Sequence, residues 1–189
     1  MGTTKLMILG SVRELGQAHG YRIRRDLEGK GVHIWAKIKQ GSIYHGLRKL
    51  TDEGLLEVTA AATRGGAGPA RTEYAITSEG ESAYFALVEE ALRSLSTDIG
   101  YTIAGIGCMS DLPRVRVIEL LQERVAAYTA WRAEVVGPFD GTSAEEDWMH
   151  HVEAVQLWAH TADSAISWTE GLLTRLEQGA YTFADERER

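Results

Sequence analysis

The sequence is poor in the residues that staple or stiffen a chain. Of its 189 residues, one is Cys and three are Pro. A lone Cys108 cannot close an intramolecular disulfide, which fits a reducing cytoplasm. No apolar run approaches the ~20 residues needed to span a bilayer, so no transmembrane helix is available. The opening Met1-Gly2-Thr3-Thr4-Lys5 has neither the charged flank nor the long apolar stretch of a secretory signal. Leu6 stands where N-myristoylation needs Ser or Thr. These absences predict a cytoplasmic protein with no membrane partner. Internal repeats and low-complexity tracts are missing too. The 44% hydrophobic content excludes global disorder and allows a sizeable core.

Catalytic equipment is also lacking. Gly65-Gly66-Ala67-Gly68 lies between two predicted strands, and no Gly-Lys-Ser/Thr follows it, so it is not a phosphate loop. His150-His151 with Glu153 and His160 lacks the i, i+4 His pair of a zinc helix, and no second cysteine supports a metal. Cys108 in apolar surroundings reads as a small buried residue. With no nucleophile, acid/base pair or cofactor loop to assemble, the expectation is a non-enzyme without metal or cofactor.

What is present is an uneven distribution of charge. Residues 1–80 carry 12 Lys and Arg against 8 Asp and Glu, a net +4, which leaves −11 for residues 81–189 and −7 overall. A mildly basic part joined to an acidic part predicts two modules with different tasks. An acidic total does not exclude nucleic acid as a partner, because phosphates respond to local charge.

Hydrophobic spacing organises the first module. Leu6, Leu9, Val12 and Leu15 predict a first helix over Lys5–Leu15, and Tyr21–Glu28 reads as a second, stopped by Gly29 and Gly31. Val32, Ile34, Ala36 and Ile38 alternate, which predicts a short extended segment over 32–39. Gly41-Ser42 offers an N-cap for a third helix, Ile43–Asp52, with Ile43, Leu47 and Leu50 as its core stripe and Gly54 ending it. Leu55–Thr63 and Thr72–Thr77 then read as strands around a Gly-rich tip, a β-hairpin with Arg64 and Arg71 at its two ends. The order helix, helix, short strand, helix, hairpin is that of a winged helix.

The second module reads as all helix. A long helix runs from Ser78 to about Thr97, and the Gly-containing apolar stretch Ile99–Met109 is a buried helix or hinge. Asp111 caps a helix over Arg114–Val136 with Pro113 early in its first turn. Its stripe is Val117, Leu120, Leu121, Val125, Tyr128 and Trp131. A last helix covers about 144–178, and 185–189 is a charged tail expected to fray. The predicted fold class is mainly α: an N-terminal winged helix-turn-helix with a small β-hairpin wing (1–80), then an α-helical dimerisation domain (81–189).

With Ile43, Leu47 and Leu50 turned inward, the third helix keeps Ser42, Tyr44, His45, Arg48 and Lys49 on or near its outer face. Such a helix fits the major groove, about 12 Å wide. Arg48 is the candidate for bidentate contact with guanine, and Lys49 for phosphate. Arg64 and Arg71 would reach the minor groove or the backbone. Lys39 and Tyr21 complete the candidate DNA-binding set. Tyr21 can be read as a buried ring whose hydroxyl reaches a phosphate, or simply as core. Gly20 permits close approach where two helices meet. Trp35 reads as packing.

Several of these residues together resemble the PadR family of bacterial transcriptional regulators. They are His19-Gly20-Tyr21, Trp35, Gly41-Ser42-Ile43-Tyr44 with Leu47, Lys49 and Leu50, Glu53-Gly54-Leu55-Leu56, and Tyr74-Ala75-Ile76-Thr77 with Gly80. The likeness covers about the first 85 residues. The remainder, with Trp168-Thr169-Glu170-Gly171-Leu172-Leu173 in its last helix, matches the family's helical dimerisation region in pattern more than in residues. One departure is His45, where the family often has Pro; an imidazole can hydrogen-bond to base or phosphate and proline cannot. The resemblance implies a homodimer binding double-stranded DNA at an inverted repeat. It also implies repression relieved by a small aromatic or phenolic effector.

Four of the five Trp lie in the acidic module: Trp131, Trp148, Trp158 and Trp168. Trp158 and Trp168 fall within ~80° of each other around a helix. Trp131, Trp158 and Trp168 are the candidate effector-binding residues; a dimer-interface core is the competing use of the same rings. A second reading of the whole chain is a winged-helix protein-interaction module, against which the basic face of the third helix argues.

Overall fold

The computed structural model describes residues 2–60, 72–96, 98–137 and 149–187, which fall into two compact units. The first unit comprises Met1–Ala91 with Asp98–Cys108, and the second Leu92–Thr97 with Met109–Arg189.

In the first unit, helix α1 (Gly2–Leu15) is the hub. Leu6, Ile8, Leu9 and Val12 are fully buried because α1 is packed on several sides at once. Around it stand β1 (Ala18–His19), α2 (Gly20–Gly29), α3 (Val32–Trp35), α4 (Gln40–Asp52), β2 (Leu56–Ala60), β3 (Thr72–Ile76), α5 (Ser78–Arg93) and α6 (Ile99–Cys108). The strands form one antiparallel sheet in the order β1-β3-β2, with Ala18 opposite Tyr74 and Val58 opposite Tyr74 on the other side. This is a mainly helical winged-helix unit, as the periodicity predicts.

Three local features differ from the sequence reading. Residues 18–19 are a strand, too short for any periodicity to reveal. Residues 32–35 are a helical turn, not an extended segment. Gly31, in the left-handed region at φ 68°, opens it, and Ala36 N–H returns to Val32 O. Of the alternating residues there, Val32 and Ile38 are buried but Ile34 is 74% exposed, so the alternation marks no common face. Helix α4 starts at Gln40 with Lys39 as its N-cap, placing Gly41-Ser42 inside the first turn.

The join between wing and α5 is tight. Thr77 Oγ1 donates to Gly54 O (2.8 Å) and accepts from Gly80 N–H (3.0 Å), capping the first turn of α5. A Cβ on Gly80 would stand 2.0 Å from Leu55 O, so only glycine lets α5 meet the start of β2 this closely. Helix α5 ends at Arg93, short of the predicted Thr97, which itself lies outside the described residues.

The second unit is built on α7 (Arg114–Val135) and α8 (Met149–Glu177), an antiparallel pair. Arg114 meets the C-terminal end of α8 while Arg132 meets Asp163 (2.5 Å). Buried or half-buried residues recur at alternating spacings of three and four: Val117, Leu121, Arg124, Tyr128 and Trp131 on α7, and Val155, Ala159, Ala162, Ile166, Thr169, Leu173 and Leu176 on α8. That is coiled-coil spacing. Arg124 is only 5% exposed and takes the stripe position where apolar Val125 is the expected residue; its guanidinium bonds Ser94 O and lies over the Tyr128 ring. Pro113 is the N-cap of α7 and not a first-turn residue, with Asp111 in a preceding 3-10 turn (Met109–Asp111).

The C-terminal segment is fastened through residue 187. Arg114 donates to Glu186 (2.6 and 3.0 Å) and to the carbonyls of Leu176, Ala180 and Tyr181 (2.8–2.9 Å), with its guanidinium over the buried Phe183 ring. The predicted fraying of 185–189 does not hold for its described part; 188–189 lie outside the described residues. The N-terminal end of the predicted last helix, 144–148, also lies outside them.

Candidate nucleic-acid interface

The buried stripe of α4 consists of Ile43, Leu47 and Leu50. At 100° per residue these span about 60°, and Tyr44, Arg48, His45, Lys49 and Ser42 fill the opposite side over roughly 160°. Ser42, His45, Arg48 and Lys49 are exposed and Tyr44 is half-buried, so the sequence-predicted set does share one outward face. Among the described residues Arg48 and Lys39 make no ion pair. Lys49 is partly committed to Glu53 at 3.7 Å. Lys5 holds the same carboxylate at 2.8 Å, and that hydrogen bond draws the Glu53 pKa below the ordinary carboxylate range.

Tyr21 is 52% exposed, so neither the buried-ring reading nor the core reading describes it. Its ring stacks on His19 at 6.4 Å, and the Arg24 guanidinium sits 5.1 Å from its centroid. Gly20 does provide close approach: a Cβ there would lie 3.0 Å from Tyr44 Cε1. Trp35 packs and donates from its indole N–H to Lys30 O (3.0 Å). Arg64 and Arg71 lie outside the described residues.

Some exposed donors of the same unit are missing from the sequence-derived set. Arg22 and Arg25 on α2 are exposed and without an ion pair among the described residues. Lys37 is exposed too, in the left-handed region at φ 54°. Their charges were legible in the sequence, but not the face they occupy. His19, Gly20, Tyr21, Tyr44, Thr72 and Tyr74 together line an open groove of about 680 Å³. Thr72 and Tyr74 read in the sequence only as strand residues.

In the second unit, Trp131 and Trp158 come together across α7 and α8, ring centroids 6.1 Å apart and tilted by 58°. Trp158 and Trp168 are 58% and 47% exposed, and Trp148 lies outside the described residues. The His150 and His151 rings are 4.0 Å apart, but no group of three or more metal-ligating side chains forms among the described residues. No described helix is long and apolar enough to cross a membrane.

Residues 8–86, which carry α4 and the wing, match the profile of the transcriptional regulator PadR-like family. The matched stretch is thus similar to that family. It includes every element of the α4 face and of the groove. Solved structures similar to the chain include Bacillus subtilis PadR in complex with operator DNA, at 20% identity over 91% of this chain and 98% of that one, TM-score 0.40. The same protein with p-coumaric acid gives 20% identity over 93% and 99%, TM-score 0.37. The PadR-like transcriptional regulator BC1756 from Bacillus cereus gives 15% over 93% and 99%, TM-score 0.39. No curated protein matches the chain.

Proposed function

We propose that the chain is a ligand-responsive transcriptional repressor that binds an inverted-repeat operator as a homodimer. The PadR-like domain reads duplex DNA, and the helices that follow it pair with a second copy. The observation that carries this is the outward face of α4, where Ser42, His45, Arg48 and Lys49 stand exposed opposite a fully apolar buried stripe. Arg48 reads a base, while Lys39 and Lys49 fix the backbone. Arg64 and Arg71 extend the contact from the wing.

Pairing is supported by exposed apolar side chains on α8. Leu157 and Trp168 project within ~20° of each other, and Trp158 lies within about 100° of both. Burying such rings suits an interface. Two reading heads multiply specificity, since an operator competes with a large excess of other sequence. Release by an effector requires a ligand that prefers a dimer with wrongly spaced heads, by about 1–3 kcal/mol. Trp131, Trp158 and Trp168 are the residues proposed to sense it, with p-coumaric acid as the first compound to try.

The test is enrichment of duplexes from a random pool by the purified protein, followed by titration of the winner against salt. An inverted repeat, bound with a salt slope near −0.9 per neutralised phosphate and lost with Arg48→Ala, supports the proposal. No enrichment and no salt-dependent binding refutes it.

A further inference from the structure

The groove lined by His19, Gly20, Tyr21, Tyr44, Thr72 and Tyr74 has a property that the α4 face lacks. Its lining holds no carboxylate, lysine or arginine among the described residues. The polar side-chain groups of these residues are instead four hydroxyls and one imidazole. None of the five side chains hydrogen-bonds to another group of the protein among the described residues. Hydroxyl and imidazole groups therefore line one open cleft with no hydrogen-bond partner among the described residues.

The cleft runs from the start of α2 past Tyr44 in the second turn of α4 to Thr72, the first residue of β3 after the wing tip. Tyr44 belongs both to it and to the outward face of α4. Arg25, one helical turn from Tyr21 and exposed, brings positive charge beside the cleft without lining it. Resting on the DNA-binding reading above, we infer that this cleft seats one sugar-phosphate strand of the duplex where it passes from the major groove at α4 to the minor groove at the wing. The first helix of a helix-turn-helix crosses the backbone at this place. Deoxyribose packs on the aromatic rings, and the Tyr21, Tyr44, Tyr74 and Thr72 hydroxyls donate to phosphate oxygens. Tyr and Thr hydroxyls are ordinary phosphate partners that fix register without reading sequence.

Neutral donors give this contact a signature. A lost cation lowers both affinity and salt slope, because counterion release scales with neutralised phosphates. A lost hydroxyl lowers affinity alone. The experiment uses full-length protein and the duplex enriched from a random pool, with Tyr74→Phe, Thr72→Val and Arg48→Ala compared by salt titration and by phosphate ethylation interference. Tyr74→Phe is expected to weaken binding about tenfold on every duplex tested with the slope unchanged. It should also erase interference at one or two phosphates flanking the half-site, and Thr72→Val should act the same way at a neighbouring phosphate. Arg48→Ala should alter sequence preference instead.

If both hydroxyl variants stay within twofold of wild type with an unaltered interference pattern, the cleft does not hold the backbone, although the DNA-binding reading stands. Saturable quenching of tyrosine fluorescence by a planar phenolic acid alongside that result would assign the cleft to a small ligand and overturn the inference. Failure of wild type to bind any duplex would remove the DNA-binding reading itself. Thermal melting of each variant shows whether a loss is one of folding.

Discussion

Replacing Gly80 by Ala is the sharpest test of how the wing is held. A helix interior ordinarily gains from this change, by about 1 kcal/mol of propensity. Here the new methyl would stand 2.0 Å from Leu55 O and 2.7 Å from Ile76 Cγ1. Ile76 can rotate away, but a backbone oxygen can yield only if the start of β2 or the first turn of α5 moves. That movement strains the Thr77 bonds to Gly54 O and from Gly80 N–H. Overpacking costs about 1–3 kcal/mol when side chains can adjust, and backbone contact puts this case at the upper end or above. After the propensity gain, a net loss of about 2 kcal/mol remains. For a domain of this size that lowers Tm by roughly 8–16 °C. Gly41→Ala is the matched control, because Gly41 is exposed in the first turn of α4 with nothing within 4 Å of its would-be Cβ. It should leave Tm unchanged or raise it slightly. Thermal melts followed by circular dichroism decide the matter: a Gly80→Ala protein as stable as Gly41→Ala would refute the argument from close approach.

Arg48→Ala should cost about 1–3 kcal/mol against the preferred duplex and much less against unrelated sequence, read by competition binding. Arg114→Ala removes bonds to three carbonyls and to Glu186 together with the cover over Phe183; a loss of about 2–4 kcal/mol is expected, measured as a lower midpoint in urea with faster exchange of the 176–186 amides. The Arg114 hydrogen bond, helped by Phe183 N–H, holds the Glu186 carboxyl down to about 2. Because that pKa is depressed, its stabilisation is present above the ordinary carboxylate value and fades as pH falls towards 2. Glu186→Gln should therefore melt lower than wild type at pH 6, with the gap closing by pH 2. Trp168→Glu should raise the dimer dissociation constant at least tenfold in sedimentation equilibrium without unfolding the chain, since Trp168 is half exposed in the single copy.

The strong periodicities were legible. Ile43, Leu47 and Leu50 define the buried side of α4, and hence the outward one, by their spacing alone. The wing was visible because turn-forming residues separate two alternating runs. What escaped was local or non-periodic. A two-residue strand at Ala18–His19 exists only because Tyr74 and Glu73 lie opposite it. The turn at 32–35 forms because Gly31 starts it, and a four-residue helix cannot outweigh an accidental alternation in the eye of the reader. Arg124 was hidden for a different reason. An arginine in a heptad seam contradicts binary patterning, and partners such as the Ser94 carbonyl and the Tyr128 ring make its burial tolerable. The groove is legible least of all, since its walls come from three segments far apart in sequence.

The charge distribution bears on how such a chain would choose its site. Residues 81–189 carry a net −11 and would oppose approach to a polyanion. At about 0.15 M salt the screening length is near 8 Å, so this repulsion would fade while the proposed contacts of α4 with phosphate would remain. At α4 the cations are Lys39 and Arg48, without an ion pair among the described residues, and Lys49, shared with Glu53; Arg22, Arg25 and Lys37 are exposed as well. The fewer phosphates these cations neutralise, the shallower the salt slope and the weaker the non-specific binding. A larger share of affinity then falls on base contacts by Arg48 and on neutral hydroxyl donors, which act only when the duplex is seated in register. Specificity is the ratio of those two affinities, so an acidic protein with a sparse basic face gains discrimination from the same scarcity of charge that limits its grip on random DNA.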